Sequence, residues 1–135
     1  MQIHWLAREK PEDFLLISGN DDLIVPQISI GYDGVISVIA NATPKIFSTM
    51  VHKALEGDFA AARPIVHQLD ELITYLFEQG NPAGVKAAMQ HLGICADHVR
   101  LPLMPVNADL RKKIGDKVVG LSKELEAMVN ANLVK

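Results

Sequence analysis

The sequence predicts an α/β protein that is mostly helical and that forms part of a larger fold. Two short apolar runs, residues 14–18 and 35–39, predict buried strands, and each is followed by a helical pattern. Beyond them, the apolar patterns have helical spacing only. Strands that are apolar on both faces need neighbours on both edges, which two strands cannot supply. A small α/β domain with a two-stranded ribbon is the alternative, but the strands favour a piece of a larger sheet.

Length and composition narrow the class further. The chain has 135 residues, of which 49% are hydrophobic and 21% charged, a balance typical of one globular domain. A net charge of −3 and few aromatic residues argue against nucleic acid as a partner. The apolar runs are too short to span a membrane, and the first ten residues lack a signal-peptide core. A single cysteine, Cys95, excludes an internal disulfide, and we expect a buried inert thiol in a cytoplasmic protein.

The first third of the chain predicts two β/α pairs. An amphipathic pattern predicts a helix over residues 2–10, followed by the first strand. A turn at Gly19, Asn20 and Asp21 comes next. We expect Asp21 or Asp22 to cap a helix that ends near Ile30. The β-branched run 35–39 then predicts the second strand.

The remaining elements are predicted to be helical. Thr43 and Pro44 predict a helix start with a hydroxyl cap and proline at the first helical position. Gly57 should end that helix, and Asp58 should cap a longer one that continues past Leu76. A shorter helix is expected over residues 83–92.

Near the end of the chain, two prolines predict extended backbone over residues 100–105. A final helix is expected from about Ala108. Its apolar stripe consists of Leu110, Ile114, Val118, Leu121, Leu125 and Met128.

Four stretches of the chain form a distinctive series: LLISGNDD (15–22), GYDGVISVIANATP (31–44), EGDFAAAR (56–63) and NPAGVKAAMQHLGI (81–94), followed by RLPLMP. In this order and spacing they resemble the dihydrodipicolinate synthase branch of the pyruvate-dependent class I aldolases. The resemblance implies the C-terminal fragment of a TIM (β/α)8 barrel. Residues 1–56 would hold its last two strands and their helices, and residues 57–135 a C-terminal helical region.

The resemblance also implies an activity. In this family a barrel lysine forms a Schiff base with pyruvate, and the resulting enamine attacks aspartate semialdehyde in lysine biosynthesis. That lysine lies on the sixth strand, upstream of the matched stretches. We therefore expect this chain alone to lack the catalytic lysine and to be inactive, and we assign no catalytic residue. No cofactor is implied.

Three residues carry a substrate-binding role through the resemblance. Ile36 matches the position whose backbone carbonyl faces bound pyruvate. Gly19 and Asn20 match the turn that lines the pocket mouth, where the family usually has aspartate at the position of Asn20.

Other candidate sites are weaker. No lysine lies on either predicted strand, and Lys86 is more consistent with a structural or exposed role. The five histidines show no metal-ligand spacing, so no metal site is expected. The helix start at Pro44 could offer free amides to an anion once the rest of a barrel is present.

Partners follow from the same reasoning. A pyruvate-type substrate is expected only if the barrel is completed. As a protein partner we expect a second copy of the chain, in a homo-oligomer, or a complementing N-terminal chain. Two alternatives stay open. One is a non-catalytic helical interaction or oligomerisation module. The other is a different pyruvate-dependent aldolase branch, such as N-acetylneuraminate lyase.

Overall fold

The computed structural model describes residues 2–130, with side chains placed through Leu121 and for Lys123. Helices dominate the described chain, and the only regular sheet within it has two strands. The elements, in order, are α1 (Gln2–Glu9), β1 (Ile17–Ser18), α2 (Ile24–Ser29), β2 (Gly34–Val35), a 3-10 turn (Ile39–Asn41), α3 (Pro44–Leu55), α4 (Phe59–Glu78), α5 (Ala83–His91) and α6 (Ala108–Asn130).

The two strands pair in parallel, as the intervening helix requires, with Ile17 opposite Gly34. They are much shorter than predicted. Among residues 2–130, each strand has a partner on one edge only, so little of either apolar run is held in a ladder. The prediction of buried strands is wrong for this chain, since Leu15 is 70% exposed and Phe14 57%. The end of the second run is also not a strand, because Ile39 is buried within the 3-10 turn.

Two predicted helix caps differ from the structure. Helix α2 begins after Leu23 without a side-chain cap, and the Asp21 carboxylate binds elsewhere. Thr43 does precede Pro44 at the start of α3, but its hydroxyl does not cap the helix. It donates instead to the carbonyl of Ile39, at 3.3 Å, because the chain enters α3 directly from the 3-10 turn.

The later helices follow the sequence pattern closely. Gly57 follows the end of α3 and has a φ of 80°, a conformation that glycine adopts without steric penalty. Asp58 caps α4 as predicted, because its Oδ1 accepts from the amide of Ala61 at 3.0 Å. Helix α5 occupies the predicted range to within one residue.

The core lies among α3, α4, α5 and α6. The large side chains from α4 and α6 belong to the apolar stripes of these two helices in the sequence, whereas those from α3 were not predicted. Each buried side chain of this size stabilises the fold by about 1.5–3 kcal/mol. The stripe of α6 is confirmed through Leu121, while the side chains of Leu125 and Met128 lie outside the described part. The main members are Ile46, Phe47, Met50, Leu69, Leu72, Leu76, Leu110, Ile114 and Val118.

Glycine permits the closest helix contacts in this core. A Cβ added at Gly84 of α5 would lie 2.1 Å from the carbonyl oxygen of Leu76 in α4. On α6, a Cβ at Gly115 would lie 2.5 Å from the imidazole of His91. Both neighbours occupy the space of a side chain, so these glycines set the distance between helices.

The loop between α5 and α6 corrects two predictions. Cys95 is exposed, because the chain turns away from the core at Gly93, where φ is 72°. Residues 100–105 are not fully extended, since the amide of Leu103 donates to the carbonyl of Arg100 in a turn. The loop is anchored by an ion pair between Asp97 and Arg111 of α6.

Candidate pocket-lining site at the strand ends

The candidate site lies where the two parallel strands end. Because the strands are parallel, the loops that follow them meet at the same edge of the sheet. The Ile36 amide, just after β2, donates to the carbonyl of Ser18, the last residue of β1, at 2.9 Å. This bond places Ile36 beside the start of the Gly19–Asn20 turn.

The turn after β1 is organised by Ser18, whose side chain is buried. Its hydroxyl donates to Oε1 of buried Gln27 in α2. The same Oγ accepts from the amide of Asn20 at 3.0 Å. The serine therefore folds the backbone over Gly19 and ties the turn to α2.

Asp21 connects this turn to the loop after β2. Asp21 is 4% exposed, and its Oδ2 accepts hydrogen bonds from the amides of Val38 at 3.1 Å and Ile39 at 2.9 Å. The other oxygen, Oδ1, is buried and has no hydrogen-bond partner among the described residues. One carboxylate thus holds the two amides at which the 3-10 turn begins.

The predicted site residues share one edge of the sheet but not one cleft. Gly19 and Asn20 are exposed and line a cleft of about 410 Å³ against α4. Asp70 and Thr74 of α4 lie on its far side. Ile36 is 78% exposed and is not part of that lining.

An ion pair supports the same sheet from its opposite end. Asp33, just before β2, accepts from the ammonium of Lys10 and from the amide of Leu16, the latter at 2.7 Å. These bonds lower the pKa of the Asp33 carboxyl below its ordinary value, the Lys10 bond having the largest effect. The charged pair therefore joins the end of α1 to both strands.

Other candidate chemistry is sparse within residues 2–130. Among the side chains that the structure describes, no group of three potential ligands from His, Cys, Asp and Glu is suitably placed for a metal. The lysines of the described part lie on helices, apart from Lys10, which follows α1. No helix of the described chain combines the length and apolarity needed to cross a bilayer.

The start of α3 does not present an obvious anion site. It opens onto a crevice of about 270 Å³ whose lining is mostly apolar. Lys45 contributes the one cationic side chain among the lining residues, and Leu92, Ile94 and Leu121 form much of the wall. The predicted anion site at Pro44 stays a prediction.

Sequence reasoning missed the role of Asp21. We expected it to cap the helix next to it, whereas its partners are 17 and 18 residues away. The available signal was an aspartate in the turn after a strand, which is compatible with both local capping and a bond to a neighbouring loop.

Comparison with known proteins defines the class. The solved structures that this chain superposes on have the TIM-barrel fold. The synthase from Methylacidiphilum fumariolicum SolV matches with a TM-score of 0.85 and 31% identity, over 99% of this chain and 44% of that one. The dihydrodipicolinate synthase from Thermotoga maritima matches with a TM-score of 0.82 and 31% identity, over 88% of this chain and 41% of that one.

Sequence comparison gives the family. The profile of the Dihydrodipicolinate synthetase family matches residues 1–120, and the chain belongs to this family. It is 45% identical to a 4-hydroxy-tetrahydrodipicolinate synthase from Phocaeicola vulgatus, over 84% of this chain and 38% of that protein. The chain therefore spans about two-fifths of the length of the curated relatives it matches.

Proposed function

We propose that this chain forms the carboxy-terminal part of a dihydrodipicolinate-synthase-type lyase, which condenses pyruvate with aspartate semialdehyde. Residues 1–56 would supply the seventh and eighth β/α units of the barrel, and residues 57–135 the helical region that follows. The Schiff-base lysine would come from the preceding part of the fold, in the same polypeptide or in a separate one.

The observation that carries this proposal is the short parallel sheet with apolar side chains left open. Parallel sheets are normally covered on both faces and continue to further strands. Here Leu15 is 70% exposed and Ile17 is 42% exposed, beside the unpaired edges of the two strands. Six further β/α units would cover these side chains and pair those edges.

In the completed barrel, this chain would line the pocket at the carboxyl ends of the strands, the face where TIM barrels hold their active sites. The Ile36 carbonyl would face bound pyruvate, and Gly19 and Asn20 would line the mouth. The lysine would require a lowered pKa to attack the pyruvate carbonyl as a free amine. The lysines described here lie on helices or in an ion pair, which supports a nucleophile outside this chain.

Complementation tests the proposal. The portion of the Phocaeicola vulgatus relative that precedes its match to this chain would be refolded together with residues 1–135. We expect co-sedimentation and condensation activity in the mixture, and neither component active alone. Failure of the two polypeptides to assemble, or an assembled but inactive mixture, would contradict the proposal.

Ile36 variants sharpen this test in the active mixture. Ile36→Val retains the backbone amide that donates to Ser18, so the KM for pyruvate should change by less than about twofold. Ile36→Pro removes that donor and shifts the carbonyl, so KM should rise clearly. Equal KM values for the two variants would exclude a role for this backbone position.

A second candidate function is a non-catalytic interaction module, which one patch favours. The loop between α5 and α6 exposes Leu101 at 79% and Met104 at 67%, together with Ile94 and Leu103. Several large apolar side chains exposed on one loop are typical of a binding surface. The double variant Leu101→Ser/Met104→Ser tests this surface. Stable self-assembly that persists in the variant would count against a role for the loop in interaction, and a lack of complementation would count against the lyase function.

A further inference from the structure

We propose that Asp21 is a positioning residue that fixes the backbone carbonyl of Ile36 in the pyruvate pocket. The substrate part of this inference rests on the proposed function. The mechanical part, the attachment of one loop to the other, rests on this chain alone.

The Ile36–Ser37 peptide is held from both sides, by the last residue of β1 and by the turn that follows it. On one side, the Ile36 amide donates to the carbonyl of Ser18 at 2.9 Å. On the other side, the amides of Val38 and Ile39 donate to Oδ2 of Asp21. Since only Ser37 lies between the two attachments, the direction of the Ile36 carbonyl is constrained by both.

The Asp21 attachment is built to be rigid. The residue is buried, and hydrogen bonds to a charged acceptor are roughly twice as strong as neutral ones. Ile39 is fully buried in the core, so the second amide is fixed to the helical region as well. Ile36 itself is exposed, so its own side chain contributes little to holding its backbone.

This geometry separates positioning from substrate contact. Asp21 bonds the backbone two and three residues after Ile36 and needs no contact with pyruvate. Its removal should therefore loosen the loop first, and weaken pyruvate binding as a consequence.

Amide hydrogen exchange of residues 1–135 by NMR tests the mechanical part. In Asp21→Ala we expect exchange at Val38 and Ile39 to accelerate by about ten- to a hundredfold, the loss expected for a bond to a charged group. Protection at the Leu69 and Leu72 amides of α4 should not change. Asp21→Asn retains one acceptor oxygen and should rescue part of the protection.

Ser37→Ala is the matched control in the same loop. It removes the Oγ that accepts from the Ala40 amide at 2.9 Å, and leaves the Asp21 bonds in place. Its effect should be confined to Ala40. Unchanged exchange at Val38 and Ile39 in folded Asp21→Ala, or identical effects of the Asp21 and Ser37 variants, would overturn the inference.

The complemented mixture tests the catalytic consequence. There, Asp21→Ala should raise the KM for pyruvate by about tenfold or more with a smaller change in kcat, and Asp21→Asn should recover part of it. If exchange at Val38 accelerates but KM is unchanged in an active mixture, positioning of the pyruvate site is refuted. If no mixture is active while the exchange result holds, the proposed function fails and the loop attachment stands.

Discussion

Replacing Gly84 by alanine probes the closest helix contact in the fold. The added Cβ would lie 2.1 Å from the carbonyl oxygen of Leu76 and 2.7 Å from its Cα. Ordinary contacts begin at 3.4 Å, so α5 must move away from α4 by about 1.3 Å, the difference between 3.4 and 2.1 Å. The obstructing atoms belong to the backbone of Leu76, a fully buried residue of α4, and cannot rotate aside.

The magnitude follows from two opposing effects. Overpacking of a tight core costs about 1–3 kcal/mol. Alanine is favoured over glycine in a helix interior by about 0.5–1 kcal/mol, which offsets part of that. Because the contact is with backbone, we expect Gly84→Ala to lower the free energy of unfolding by about 2 kcal/mol.

Gly120→Ala is the matched control, since no atom lies within 4 Å of its added Cβ and the residue is also helical. It should raise the free energy of unfolding by about 0.5–1 kcal/mol. Gly115→Ala should fall between the two, because the His91 side chain that it meets can rotate.

Urea unfolding followed by circular dichroism measures this series. With a slope of about 2 kcal/mol per molar urea, the midpoints of the Gly84 and Gly120 variants should differ by about 1–1.5 M. Equal midpoints would refute the α4–α5 packing described here.

Three further predictions concern other parts of the fold. Asp58→Ala should lower the free energy of unfolding by about 1 kcal/mol through loss of the α4 cap, while Asp58→Asn should lose less than half of that, measured by thermal or urea unfolding. Lys10 lowers the pKa of Asp33 in the folded state. The stabilisation that the ionised Asp33 carboxylate provides is therefore fully present above the ordinary pKa of 3.8. The stability difference between wild type and Asp33→Asn should therefore be constant at neutral pH and shrink as the pH falls through the lowered value. A difference that grows on acidification would contradict this. Finally, exposed Phe14 and Ile17 beside open strand edges predict concentration-dependent self-association, which Ile17→Lys should reduce in light scattering; a monomer at all concentrations would refute it.

Helices were predictable from this sequence because their signals are local. The apolar spacing of α4, the cap at Asp58 and the glycine at 57 all lie within or next to the element that they define. The boundaries of α3 and α5 were therefore predicted to within one residue.

Strand length and side-chain roles depended on distant residues and were predicted less well. The apolar runs indicated strands, but the length of a strand depends on neighbouring strands, and the described residues provide none on the outer edges. Aspartate is a residue type typical of helix caps, but the hydrogen-bond partners of Asp21 are in another loop. Cys95 follows apolar residues, yet its exposure depends on the turn at Gly93.

The candidate site was predicted by resemblance to the family and only partly from the residues themselves. The turn at Gly19 and Asn20 and the backbone of Ile36 lie at one edge, as parallel strands require. The sequence did not predict that Gly19 and Asn20 line a cleft while Ile36 lies on an open surface, because the exposure of Ile36 depends on what covers the sheet.

Borohydride trapping with pyruvate tests the central claim most directly. Borohydride reduces a Schiff base to a stable amine, so mass spectrometry identifies the polypeptide that carries the lysine. In the complemented mixture, we predict a pyruvate-derived mass increase on the added amino-terminal polypeptide and none on residues 1–135. An adduct on residues 1–135, alone or in the mixture, would contradict the account.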